Sequence, residues 1–72
     1  MDILPIRFVD HDCGDEGLVL VRVIGNLVGL ALSLRKNGDI EVVFGPEELD
    51  RVIGALETAR GALRAQKKET EL

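Results

Sequence analysis

The stretch FVDHDCGDEG, Phe8 to Gly17, holds Asp10, His11, Asp12, Cys13, Asp15 and Glu16. Each of these side chains can bind a metal ion or move a proton. Zinc takes Cys and His ligands, usually four in all. This chain has one Cys and one His, so Asp10 and Asp12 would have to complete a site with His11 and Cys13, or a second chain would have to supply duplicates. Extended backbone sends neighbouring side chains to opposite sides, which works against convergence of Asp10, His11, Asp12 and Cys13. No alternation of acids leads to a terminal bidentate Glu, as a calcium loop requires. Nucleophilic catalysis at Cys13 needs a base and a third group to orient that base. His11, two residues away, falls on the same face in a strand, but nothing else supports the arrangement, and the neighbouring carboxylates disfavour the thiolate. Asp and Gly are also the residues that build turns. The segment therefore reads as an acidic turn between two strands, with neither a metal nor another cofactor expected. Its carboxylates, Asp10, Asp12, Asp15 and Glu16, are candidates to contact a protein partner, because complementary charge steers encounter.

Seventy-two residues make one domain, and a chain of this size is marginal alone. Small scaffolds rely on disulfides, a metal or a partner chain. A single cysteine excludes an internal disulfide. It fits a reducing compartment, and Met1 to Phe8 shows no basic start followed by a long apolar run, so the expected location is the cytoplasm. The formal charge is −4. Residues 1–17 carry all of that excess: Asp2, Asp10, Asp12, Asp15 and Glu16 against Arg7. The basic stripe that neutralises phosphates is missing. With two Phe, no Tyr and no Trp, stacking platforms for bases are scarce as well. GNLVG, Gly25 to Gly29, has neither the Lys nor the strand-to-helix setting of a phosphate loop.

The elements that must hold these residues follow from turn chemistry. LVLVRVIGNLVGLALSL, Leu18 to Leu34, is almost long enough to cross a bilayer, but Arg22 and Asn26 interrupt it. Gly25-Asn26 is a hairpin signal in which Gly takes the first central position of a type II′ turn, so no membrane segment is expected. Asn37-Gly38 carries a type I′ signature. Strands are predicted over 18–24, 27–36 and 39–44. Ile3 to Val9 is a fourth, with Pro5 placing it at an edge or Pro5 at its start. Gly45-Pro46 opens a helix: Pro suits the first helical position, acids Glu47, Glu48 and Asp50 sit at its start, and Arg60, Arg64, Lys67 and Lys68 near its end. Leu49, Val52, Ile53, Leu56, Ala59 and Leu63 form an apolar stripe at helical spacing. Gly54, Thr58, Gly61 and Ala65 lie on the opposite side, where they read as exposed residues that weaken the helix. The expected fold is a four-stranded antiparallel meander followed by one C-terminal helix packed on one sheet face (ββββα, α+β). It comprises a single domain over residues 1–66 and a frayed polar tail over 67–72.

Two-residue turns set registers and faces. A turn at 25–26 pairs Ile24 with Leu27, Val23 with Val28 and Val21 with Leu30. A turn at 37–38 pairs Lys36 with Asp39, Leu34 with Glu41 and Leu32 with Val43. One face then collects Val19, Val21, Val23, Val28, Leu30, Leu32, Leu34 and Val43. The other holds Phe44, with Gly29 and Ala31 leaving room for the helix. Phe44 and Leu49 are spaced as a hydrophobic staple, which puts the helix on the Phe44 face and leaves the Val/Leu face open. An apolar patch of that extent exceeds what a soluble monomer exposes. The expected remedy is a second copy, as a homodimer or higher oligomer.

The order of four strands then a helix, with a last strand running into Pro46-Glu47, resembles the topology of the positive-cofactor-four family. Members of that family are dimeric single-stranded-DNA-binding transcription proteins. The resemblance spans about the final half of the chain. It implies a dimer whose sheet binds single strands, which here would draw on Arg22, Arg35 and Lys36. The family's basic, aromatic strands and its Lys-Gly run before the last strand have no counterpart. The functional expectation is a non-enzymatic protein-interaction or regulatory module, homodimeric through the Val/Leu face, with the acidic loop as its specificity element. A single-stranded nucleic-acid binder is the first alternative, and a small enzyme or metal site at His11 and Cys13 is the second.

Overall fold

A computed structural model describes residues 1–70 of the chain, with side chains through residue 66. Four strands, β1 (Asp2–Val9), β2 (Glu16–Ile24), β3 (Leu27–Leu34) and β4 (Gly38–Phe44), precede one helix, α1 (Pro46–Thr70). The strands form an antiparallel meander in the order β1-β2-β3-β4. The long apolar stretch from Leu18 is thus a hairpin, and among the described residues no helix is long and apolar enough to cross a membrane. The backbone of α1 runs to Thr70, and the polar tail expected over 67–72 reaches into residues 71–72, which lie outside the described residues.

Gly25 sits at φ +61 and, among the described residues, no non-Gly residue has positive φ, as a type II′ turn at Gly25-Asn26 requires. The register across it pairs Ile24 with Leu27, Val23 with Val28 and Val21 with Leu30, as expected. In β1, Ile3 pairs with Val21 and Ile6 with Val19, so Leu4 and Pro5 together face Leu20. Pro5 lies in a bulge on an edge strand, where its missing N–H breaks no ladder bond.

The second turn departs from expectation. A type I′ turn needs φ > 0 at both central residues, yet of Asn37 and Gly38 only Gly38 has it, at +91. Residues 35–37 form the connection, Leu34 faces Gly38, and Leu32 faces Ile40 in place of Val43. The register has slipped by three positions. An odd slip turns a strand over. Val43 therefore leaves the Val/Leu face for a place opposite Gly29, and Asp39 and Glu41 leave with it. Ile40, Val42 and Phe44 take their places. With Ile3, Ile6 and Phe8 added by β1, this face carries apolar side chains on all four strands and no charge. The phenyl ring of Phe8 lies over Gly17, where an added Cβ would come within 2.5 Å of it.

The helix contacts the sheet, as expected, but over only part of its width. It touches β3 and β4 and neither other strand. Phe44 and Leu49, the two ends of the expected staple, are half-buried, as is Val52. Because Phe44 now shares a face with Val28, Leu30 and Leu32, the expected division into a helix-covered Phe44 face and an open Val/Leu face does not hold. Leu56 and Leu63 are 64% and 65% exposed. An added Cβ at Gly29 would meet Ile24, Glu41 and Arg22 and no helix atom, so the close approach expected there does not occur. Nothing lies near Gly54 or Gly61 on the far side of the helix. The molecule is flat, 47 × 32 × 17 Å, with a radius of gyration of 14.9 Å, against about 11 Å for a compact chain of this length.

Candidate functional site

The acidic loop between β1 and β2 is built on its own carboxylates. The Asp10 Oδ2 accepts the backbone N–H groups of Cys13, at 2.8 Å, and Asp12, at 3.1 Å. The Gly14 N–H donates to the Asp10 carbonyl at 2.8 Å, and the Asp10 N–H to the Asp15 carbonyl at 2.9 Å. This is an Asx-type turn that closes the loop on itself. The N–H and thiol of Cys13 are the main causes that hold the Asp10 carboxyl below its ordinary pKa, with smaller help from Asp12 and the charge of His11.

Asp15 works across the molecule. It is 7% exposed and is the buried charged residue among those described. Its Oδ2 accepts the Lys36 backbone N–H at 2.7 Å and the Asn37 Nδ2 at 3.1 Å. Asn37 Nδ2 also lies 3.6 Å from Cys13 Sγ. These bonds clamp the β3–β4 connection to the acidic loop, and they explain why the Asn-Gly pair does not form its local turn. The amide of Asn37 serves a tertiary acceptor, and its backbone φ is not positive.

The candidate ligands and partner contacts are therefore scattered in role. His11 and Cys13 are exposed. Asp10 and Asp15 are spent on turns. Glu16 pairs with Arg35 at 3.0 Å. Among the described residues no group of three or more His, Cys, Asp and Glu side chains is placed to hold a metal ion. Asp12 and Glu16 are the loop carboxylates left at the surface. Two basic groups beside the sheet, Arg22 and Arg35, are also engaged. Arg22 bonds Glu41 at 2.6 Å across β3, passing over Gly29, where the absence of a side chain leaves the path clear. Glu41 raises the Arg22 guanidinium above its ordinary pKa by hydrogen bond and charge. An open groove of about 600 Å³ runs beside the Arg35–Glu16 pair and is lined by Arg7, Phe8, Val9, Leu18 and Ser33 among others.

The larger feature is the apolar face. Leu32 is 44% exposed and Ile40 61%, and Ile3, Ile6 and Val42 are open too. Among the described residues no apolar side chain is buried. The accessible surface is 6183 Å² for a mass of 7.9 kDa, whereas a folded monomer of that mass exposes about 4,400 Å². The excess of about 1,800 Å² is more than twice the roughly 800 Å² that each partner buries in a standard interface. Sequence reasoning found the β2 and β3 parts of this face and missed Ile3, Ile6, Phe8, Ile40, Val42 and Phe44. Those from β4 depended on a register that Asp15 sets from a distance. Those from β1 depended on the bulge at Pro5. The chain matches no family model, no curated protein and no solved structure at a significant level.

Proposed function

We propose that the chain is a non-enzymatic interaction module that works as a homodimer, closed through the apolar sheet face. The observation that carries this reading is the lack of any buried apolar side chain among the described residues. A single copy has an apolar face but no core, and stable folding depends on taking apolar surface out of water. A second copy supplies the missing layer, and the excess over two chains, about 3,600 Å², falls within the roughly 2,000–5,000 Å² that obligate dimers bury over both partners. Asp12 and Glu16 at the loop surface are the contacts offered to a further protein partner, where complementary charge sets encounter and register. A cytoplasmic setting belongs to the same proposal and rests on the lone free thiol, Cys13.

The nucleic-acid alternative is weaker. Arg22 and Arg35 already face the carboxylates of Glu41 and Glu16, so a phosphate would have to displace both. An enzyme or metal centre at His11 and Cys13 would have to recruit groups that now hold the turn together. Light scattering on a sizing column tests the main reading. The wild-type chain is expected at about twice 7.9 kDa. Leu32→Asp and Ile40→Asp are expected at the single-chain mass or unfolded. A wild-type chain that is folded and monomeric overturns the proposal.

A further inference from the structure

Besides Ile24, Leu27 and Val43, open on the opposite side of the sheet, two apolar surfaces among the described residues lack a partner: the sheet face, open at Ile3, Ile6, Leu32 and Ile40, and the distal stripe of α1, open at Leu56 and Leu63. We propose that the occupant of each is the other, supplied by a second copy, so that the far half of α1 packs on the apolar sheet face of the partner subunit and the exchange is reciprocal. This rests on the homodimer reading and specifies its geometry.

Length supports the exchange. Twenty-five helical residues run about 37 Å at 1.5 Å each, while four strands make a sheet only about 19 Å wide. The helix touches β3 and β4, and its half-buried residues, Leu49 and Val52, lie near its start. Leu63 lies about 21 Å further along the axis than Leu49, beyond what the chain's own sheet covers. An isolated helix containing Gly54 and Gly61 has little stability without packing on its apolar face.

Area supports it as well. The surface in excess of a compact monomer, about 1,800 Å² per chain by the mass scaling, exceeds the roughly 800 Å² per partner of a standard interface. Sheet against sheet, with the helices left in water, leaves that surplus unexplained. Adding the stripe accounts for more of it. The shape of the stripe favours a sheet over another helix. Leu49, Leu56 and Leu63 recur every seven residues, with Val52, Ala59 and Ile53 beside them, so the stripe is wider than 100°, as suits a flat core. A paired helix would want complementary charges flanking the seam. Here the flanking positions are Glu48, Ala55 and Ala62 on one side and Ile53 and Arg60 on the other, which offer no matching set. In a two-fold dimer a helix-to-sheet contact occurs twice by symmetry, so one contact hides both open surfaces of both chains.

The test is cross-linking between chains in a Cys13→Ser background. One chain carries Leu63→Cys and the other Ile6→Cys. The two are co-expressed with tags of different size and treated with a short bismaleimide. Leu56→Cys with Ile3→Cys is a second pair, in case the first is out of reach. Helix-to-sheet product severalfold above either homo-product is the expected result for at least one pair. Dominant helix-to-helix or sheet-to-sheet product, or a dimer by light scattering with no helix-to-sheet product from either pair, overturns the exchange while the homodimer stands. A single-chain mass with no product overturns both.

Discussion

Asp10 shows how a chemically rich segment is used for structure. Its carboxylate gathers the N–H groups of Cys13 and Asp12, and these donors favour the charged form. The folded pKa is therefore below the ordinary aspartate value of 3.8. A depressed pKa means that the turn's contribution is fully present above the unfolded value. It is lost as pH falls through the folded one. A carboxyl-carbon NMR titration is expected to give Asp10 a midpoint below that of an ordinary aspartate, with the Cys13 amide shifting in step. A midpoint at 3.8 with an indifferent Cys13 amide would show that the turn does not persist in solution. The same residue type was legible as a turn former, but nothing at the residue scale says which of four neighbouring carboxylates caps and which is buried.

At the scale of elements, the two hairpins contrast. Gly25-Asn26 is a local matter: the turn dictates the register from Ile24–Leu27 onward, and sequence was sufficient. Lys36-Asn37-Gly38 is not local, because Asp15, more than twenty residues earlier, takes the Lys36 N–H and the Asn37 amide. Asp15→Ala leaves these part-buried donors without their carboxylate acceptor, which costs about 1 kcal/mol, the low end for an unsatisfied donor. The expected readout is a lower urea midpoint at fixed protein concentration, with faster amide exchange at Lys36. Asp15→Asn retains one accepting oxygen and is expected to lose less. An unchanged midpoint in Asp15→Ala would mean that water serves the connection equally well.

At the scale of the molecule, the flat outline and the missing core argue that folding and association are one process. Obligate dimers have stability inseparable from protomer concentration. The thermal midpoint is expected to rise steadily as concentration is raised from micromolar to millimolar. A midpoint that does not move over that range would point to a chain that is stable alone. The helix belongs to this scale, since Leu49 and Val52 are half-buried while Leu56 and Leu63 stay exposed.

What the sequence determined by itself were the element order and the β2–β3 register. Each follows from short-range rules: turn residues with a required sign of φ, alternation along strands and apolar spacing along a helix. Tertiary structure alone decided which way β4 faces, and so moved Val43 out of the apolar face and Ile40, Val42 and Phe44 into it. The reason is that one carboxylate bonding across the loops outweighs a turn propensity, and a slip of odd length reverses every side chain on the strand. It also decided that α1 parts from its own sheet, because helical spacing defines an apolar stripe without saying which surface covers it.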